Sequence, residues 1–164
     1  MADRETEILR SLRKIVRAID MQSHRINVSF NVTVPQLLCL YAIQRNPSLT
    51  LSGLAEEISL SPSTVNGIAD RLEEKGLIHR VRSSQDRRKV IPMLLEAGGR
   101  IVDEAPPMLQ ETFVQRFRRL PEDEQNAIAA ALRKTVRLLD AEAIDASPNL
   151  LPHDPCCSSD VRTG

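Results

Sequence analysis

The chain has 164 residues, about the length of one domain, and can bury a core without disulfide staples. Its composition, 41% hydrophobic and 27% charged, excludes a disordered chain, and 2% aromatic content argues against an all-β sandwich or barrel. The 22 basic and 22 acidic groups cancel overall, but residues 76–100 carry six bases (Arg80, Arg82, Arg87, Arg88, Lys89, Arg100) against Asp86 and Glu96. A polyanion responds to that local field within about a Debye length.

No apolar run reaches the roughly 20 residues that span a bilayer, so no membrane partner is expected. The acidic, polar start predicts no secretion signal. Three cysteines, two of them adjacent, suggest no disulfide framework, and a cytoplasmic location is the expectation.

Residues 3–27 read as a helix. Ile8, Leu12, Ile15, Ile19 and Ile26 recur at helical spacing, Leu9 and Val16 widen the stripe, and Arg10, Arg13, Lys14, Arg17 and Asp20 fill the other face. So wide an apolar face on a first helix points to a partner chain. Thr33 and Gln36 form a capping-box pattern with Pro35 in the first turn, opening a second helix through Leu37, Leu38, Leu40, Tyr41 and Ile43. Asn46-Pro47-Ser48 stops it.

Thr50 caps a third helix, Leu51 to about Ser59, with Leu54, Ala55 and Ile58 inward. Ser61 caps a fourth with Pro62 in first position, Val65, Ile68, Ala69 and Leu72 inward, and Gly76 as a left-handed stop. Two short helices so tightly joined match a helix-turn-helix. Residues 77–82 and 89–94 then read as strands around a polar turn, which makes the motif winged.

Residues 97–120 read as a fifth helix through Ile101, Ala105, Leu109, Phe113 and Phe117, with a kink or break expected at Pro106-Pro107. A sixth starts at Pro121 with an acidic first turn and runs through Ile128, Leu132, Thr135, Val136 and Leu139 to about Ile144. Residues 146–164 read as a flexible tail. There is no internal repeat. The expected fold is mainly α with a small β-wing.

The candidate recognition helix, Pro62 to Lys75, turns Ser63, Thr64, Asn66 and Gly67 outward near its start, with Asp70 and Arg71 one turn on. Short polar side chains there can touch base edges without holding the helix off the groove. Gly67 leaves room for close approach, and free N–H groups beyond Ser61 suit a phosphate. The bland alternative is a capped surface helix. In the hairpin, Arg80, Arg82, Arg87, Arg88 and Lys89 face one acid, Asp86. Arginines at a narrow β-ribbon suit the minor groove, whereas the alternative is a solubilising turn. Arg80 and Arg82 alternate to one side. Asp86 reads as a structural partner that fixes the wing, with no His or second acid for acid–base work.

The stretch Leu49–Gly98 closely resembles the MarR family of bacterial transcription regulators. The resemblance rests on Leu54-Ala55, Ser63-Thr64-Val65, Asp70-Arg71-Leu72-Glu73 through Lys75-Gly76-Leu77, and Asp86-Arg87-Arg88. The flanking helices fit the family layout along residues 3–145. The chain departs from the pattern at Leu94-Leu95, where the family has Leu-Thr, and at Pro121, where it has a capping Ser.

The resemblance implies a homodimer built from the first and last helices (residues 3–27 and 97–145) around DNA-binding heads (33–98). It implies double-stranded DNA as partner, with half-sites about 34 Å apart, and a probe-like wing in the minor groove. It also implies release by a small molecule between dimer helices and head. The lining candidates are Met21, His24, Arg25, Leu38 and Tyr41, each of which has a core or interface reading as well. Two other readings stay open: a winged module for protein contacts alone, and a cysteine-based redox regulator. Cys39 reads as a small buried hydrophobe. His153, Cys156 and Cys157 are too loosely spaced for a metal site. No cofactor, metal or catalytic residue is expected, so the chain does not read as an enzyme.

Overall fold

The computed structural model describes residues 2–83 and 86–144, which divide into two compact units, 2–105 and 106–144. In the first, the helices α1 (Ala2–Phe30), α2 (Val34–Arg45), α3 (Leu51–Ile58) and α4 (Pro62–Glu74) are followed by strands β1 (Ile78–Arg82) and β2 (Val90–Leu94) and by α5 (Glu96–Glu104). The second contains α6 (Leu109–Phe117) and α7 (Glu122–Leu138).

The core of the first unit forms around α2. Leu37, Cys39, Leu40, Ala42 and Ile43 are all buried, so the helix is apolar on most sides and packs against α1, α3, α4, α5 and β2. Its start is the capping box that the spacing predicts. Thr33 N–H donates to Gln36 Oε1 (3.0 Å) and Gln36 N–H donates to Thr33 Oγ1 (3.4 Å). Gln36 is itself buried, and the Lys75 ammonium at the end of α4 also donates to its Oε1 (3.4 Å) and to the Asn31 carbonyl. One cation thus ties the end of α4 to the joint between α1 and α2.

The first helix continues to Phe30, three residues past the expected end. Asn31 stops it by taking a left-handed conformation (φ 53°), which asparagine tolerates better than most side chains. Ile26 is buried, while Ile8, Leu9, Ile15, Val16, Met21 and Val28 stay exposed.

β1 and β2 pair antiparallel with Ile78 opposite Leu94, Arg80 opposite Pro92 and Arg82 opposite Val90. Ile78 and Pro92 turn toward the core. The tip residues Ser84 and Gln85 lie outside the described residues.

The break expected at Pro106-Pro107 divides residues 97–120 into two helices, α5 and α6, because these prolines lack N–H groups and interrupt the hydrogen-bond ladder. Leu95 precedes α5 and gives it no side-chain cap, as the missing Thr implies. The last helix ends at Leu138 rather than near Ile144. Asp140 turns left-handed (φ 51°) and the Ala141 N–H closes back on the Val136 carbonyl. Within the second unit, Phe113 and Phe117 stack with ring centroids 5.4 Å apart, and Leu132, Val136, Leu138 and Leu139 are exposed. The expected tail at 146–164 lies outside the described residues.

Candidate nucleic-acid interface

The turn between α3 and α4 is tight because Ser59 adopts a left-handed conformation (φ 55°), letting Leu60 N–H donate to the Ala55 carbonyl. No glycine signals this turn in the sequence. Ser61 then caps α4: its Oγ accepts from Thr64 N–H (3.1 Å). The same oxygen lies 2.9 Å from Ser63 Oγ and 2.7 Å from Thr64 Oγ1, so the helix opens on a row of three exposed hydroxyls.

Val65, Ile68, Ala69 and Leu72 anchor α4 in the core. That leaves Ser61, Ser63, Thr64, Asn66, Gly67, Asp70 and Arg71 on its exposed side, as the helical spacing predicts. A Cβ at Gly67 would meet nothing within 4 Å, so the surface there is open.

The wing is ordered by Asp86. Its Oδ1 accepts from Arg88 N–H (3.1 Å) and from Arg88 Nε (3.4 Å). Its carbonyl accepts from Lys89 N–H (2.9 Å), and its own N–H donates to Ser83 Oγ (3.4 Å). Ser83 N–H closes the pair by donating to the Lys89 carbonyl (2.9 Å). Arg82, Arg87, Arg88 and Lys89 are exposed, and among the described residues Arg82, Arg87 and Lys89 have no side-chain partner.

Arg80 departs from the expectation of a free wing cation. Its guanidinium meets Asp70 (NH1–Oδ1, 2.6 Å) and Glu73 (Nε–Oε2 and NH2–Oε2, both 2.7 Å). Its backbone N–H donates to Glu73 Oε1 (2.9 Å), and His79 Nδ1 lies 3.4 Å from that same oxygen. Hydrogen bonds from the Arg80 backbone, then from its side chain, hold the Glu73 carboxyl below its ordinary range, and Glu73 in turn raises Arg80. Sequence periodicity puts Arg80 and Arg82 on one side of the strand, which is correct, but cannot show that two acids of α4 already occupy one of them.

The effector candidates separate. Met21, His24 and Arg25 lie with Arg17, Asp20 and Val28 along one open face of α1. Leu38 and Tyr41, half-buried on α2, do not line that face. Cys39 is fully buried, and desolvation pushes its thiol up to about 12, which opposes a reactive thiolate. Among the described residues no cluster of three His, Cys, Asp or Glu side chains could hold a metal, and no single helix is long and apolar enough to cross a membrane. His153, Cys156 and Cys157 lie outside the described residues.

The sequence model of the MarR family matches residues 32–90, from just before α2 to the first residue of β2. The HTH-type transcriptional repressor MdtR of Bacillus subtilis is 30% identical over 145 residues, covering 88% of this chain and 92% of that protein. Among solved structures, the Staphylococcus aureus MepR–DNA complex shares the fold at a TM-score of 0.58 and 24% identity, over 78% of this chain and 94% of that one. BpsR of Bordetella bronchiseptica, whose DNA binding is regulated by 6-hydroxynicotinic acid, matches at a TM-score of 0.53 and 27% identity, over 80% of this chain and 98% of that one.

Proposed function

The chain belongs to the MarR family of transcriptional regulators, which are not enzymes, and from that premise we propose that two copies bind one pseudo-palindromic DNA site and repress transcription from it. The observation that carries this reading is the paired surface of α4 and the wing. One helix buries its apolar side and leaves Ser63, Thr64, Asn66, Gly67 and Arg71 open, while the hairpin beside it in sequence exposes Arg82, Arg87, Arg88 and Lys89.

In this reading α4 enters the major groove. Ser61 caps it and offers its N-terminal N–H groups to a phosphate, and Ser63, Thr64, Asn66 and Arg71 meet base edges. The wing lays its free arginines and Lys89 along the minor groove, with Asp86 holding the loop that carries them. Arg80 is left out of the direct contacts because each of its three guanidinium nitrogens already contacts Asp70 or Glu73.

The dimer accounts for the apolar side chains that each unit leaves uncovered: Ile8, Ile15 and Val16 on α1, and Leu132, Val136 and Leu139 at the chain's last helix. Residues 33–98 then form the DNA-binding head and the flanking helices the dimer. A small effector meeting Met21, His24 and Arg25 on α1 would release the DNA, and the protein works in the cytoplasm.

Binding selection from a random duplex pool tests the proposal. An enriched inverted repeat with half-sites about one helical turn apart is the expected result. No enrichment at low salt, from protein that is monomeric at micromolar concentration, would sink it.

A further inference from the structure

We infer that Glu73 is a positioning residue: through Arg80 it fixes the wing at one angle to α4, so that recognition helix and hairpin can meet their grooves together. The inference rests on the DNA-binding reading above. Asp70 and Glu73 stand three residues apart, hence on one face of α4, and both reach the same guanidinium on β1. Glu73 also accepts the Arg80 backbone N–H at 2.9 Å, so it grips the strand by main chain and side chain at once. The chain between them runs through Gly76 in a left-handed turn (φ 66°); core packing of Leu77, Ile78 and Pro92 seats the base of the hairpin, and the Glu73–Arg80 clasp adds a second tie between α4 and β1.

The arrangement also answers an electrostatic objection. Two carboxylates on a helix that approaches phosphates should repel them. Arg80 offsets one of the two charges, and its side chain is 29% exposed against 30% for Glu73 and 55% for Asp70, so the clasp is partly withdrawn from solvent. A surface bond of this kind contributes little to stability. Its consequence is geometric.

Charge and geometry make opposite predictions for Glu73→Gln. Removing a negative charge near a polyanion should strengthen binding, whereas loosening the wing should weaken it. The full chain and its E73Q and R80Q variants are compared on a duplex selected by the wild type, by titration and hydroxyl-radical footprinting at matched folded fraction.

The expected result is a roughly three- to tenfold weaker E73Q complex that keeps the major-groove protection of α4 and loses the flanking minor-groove protection of the wing. The double variant should be no worse than the weaker single one, since both remove the same clasp. Tighter or unchanged binding by E73Q overturns the inference, as does a parallel loss of all protections. If the wild-type chain protects no duplex, the DNA-binding reading itself falls, a result separate from any difference between variants.

Discussion

Gly98, in the first turn of α5, lies against the backbone carbonyl of Leu77: a Cβ placed on Gly98 would stand 2.3 Å from that oxygen. The same carbonyl accepts a hydrogen bond from Leu95 N–H (3.0 Å), so it cannot move aside without loosening the turn that leads from β2 into α5. Gly98→Ala should therefore destabilise the fold by about 1–3 kcal/mol despite its better helix propensity. Urea denaturation checks this, and an unchanged midpoint would show that the contact relaxes freely.

Gly67 makes the opposite case on another helix. Its missing side chain faces open space, so Gly67→Ala should raise stability by about 0.5–1 kcal/mol. Gly67→Leu should leave the melting transition intact and still weaken DNA binding, because the new side chain would stand between α4 and the groove floor. Equal affinity of the Leu variant and the wild type would remove Gly67 from the interface.

Arg87→Ala combined with Arg88→Ala should lower affinity and reduce the salt dependence of binding, by about one unit of slope per lost phosphate contact. Both side chains are exposed, so the fold should not change. Asn66→Ala or Ser63→Ala should instead change which sequences are preferred. A uniform loss across sequences would reassign those two residues to the phosphate backbone.

Cys39 supplies a prediction in pH. Its thiol has a folded value of about 12 against an ordinary 9.0, so the folded state holds its proton where the unfolded state loses it. Stability should therefore fall as pH rises from about 9 toward 12. At pH 8 iodoacetamide should leave the Cys39 peptide unmodified in native protein and modify it in urea, as mass spectrometry of the digest will show. Rapid alkylation of Cys39 in the native state would reopen a redox role.

The features that could be read from the sequence are those set by neighbours in the chain. Thr33 and Gln36, Ser61 and Thr64, and Gly76 act within three or four residues of one another, and their spacing alone places the helix ends. The proline pair at 106 and 107 marks its own disruption. What the spacing leaves open is decided across the fold. Lys75 reaches Asn31 and Gln36, some forty residues earlier, and Arg80 is taken up by Asp70 and Glu73. The one available signal was a pair of acids three apart on the helix just ahead of a basic strand. Asn31, Ser59 and Asp140 end helices with positive φ and no glycine, so the usual sequence signal for such a stop is missing at these positions.

The three hydroxyls at the front of α4 have a property that other polar groups there lack. Each can give or take a proton, and the spacing of Ser63, Ser61 and Thr64 lets all three O–H bonds swing round in concert. Ser61 keeps a lone pair on the Thr64 amide in either setting, so the helix start is unaffected by the reversal. Such an edge is ambidextrous, welcoming a purine nitrogen or an exocyclic amine alike. The guanidinium of Arg71 is the contrasting case on the same exposed side of α4, a group that only donates and so cannot invert its polarity.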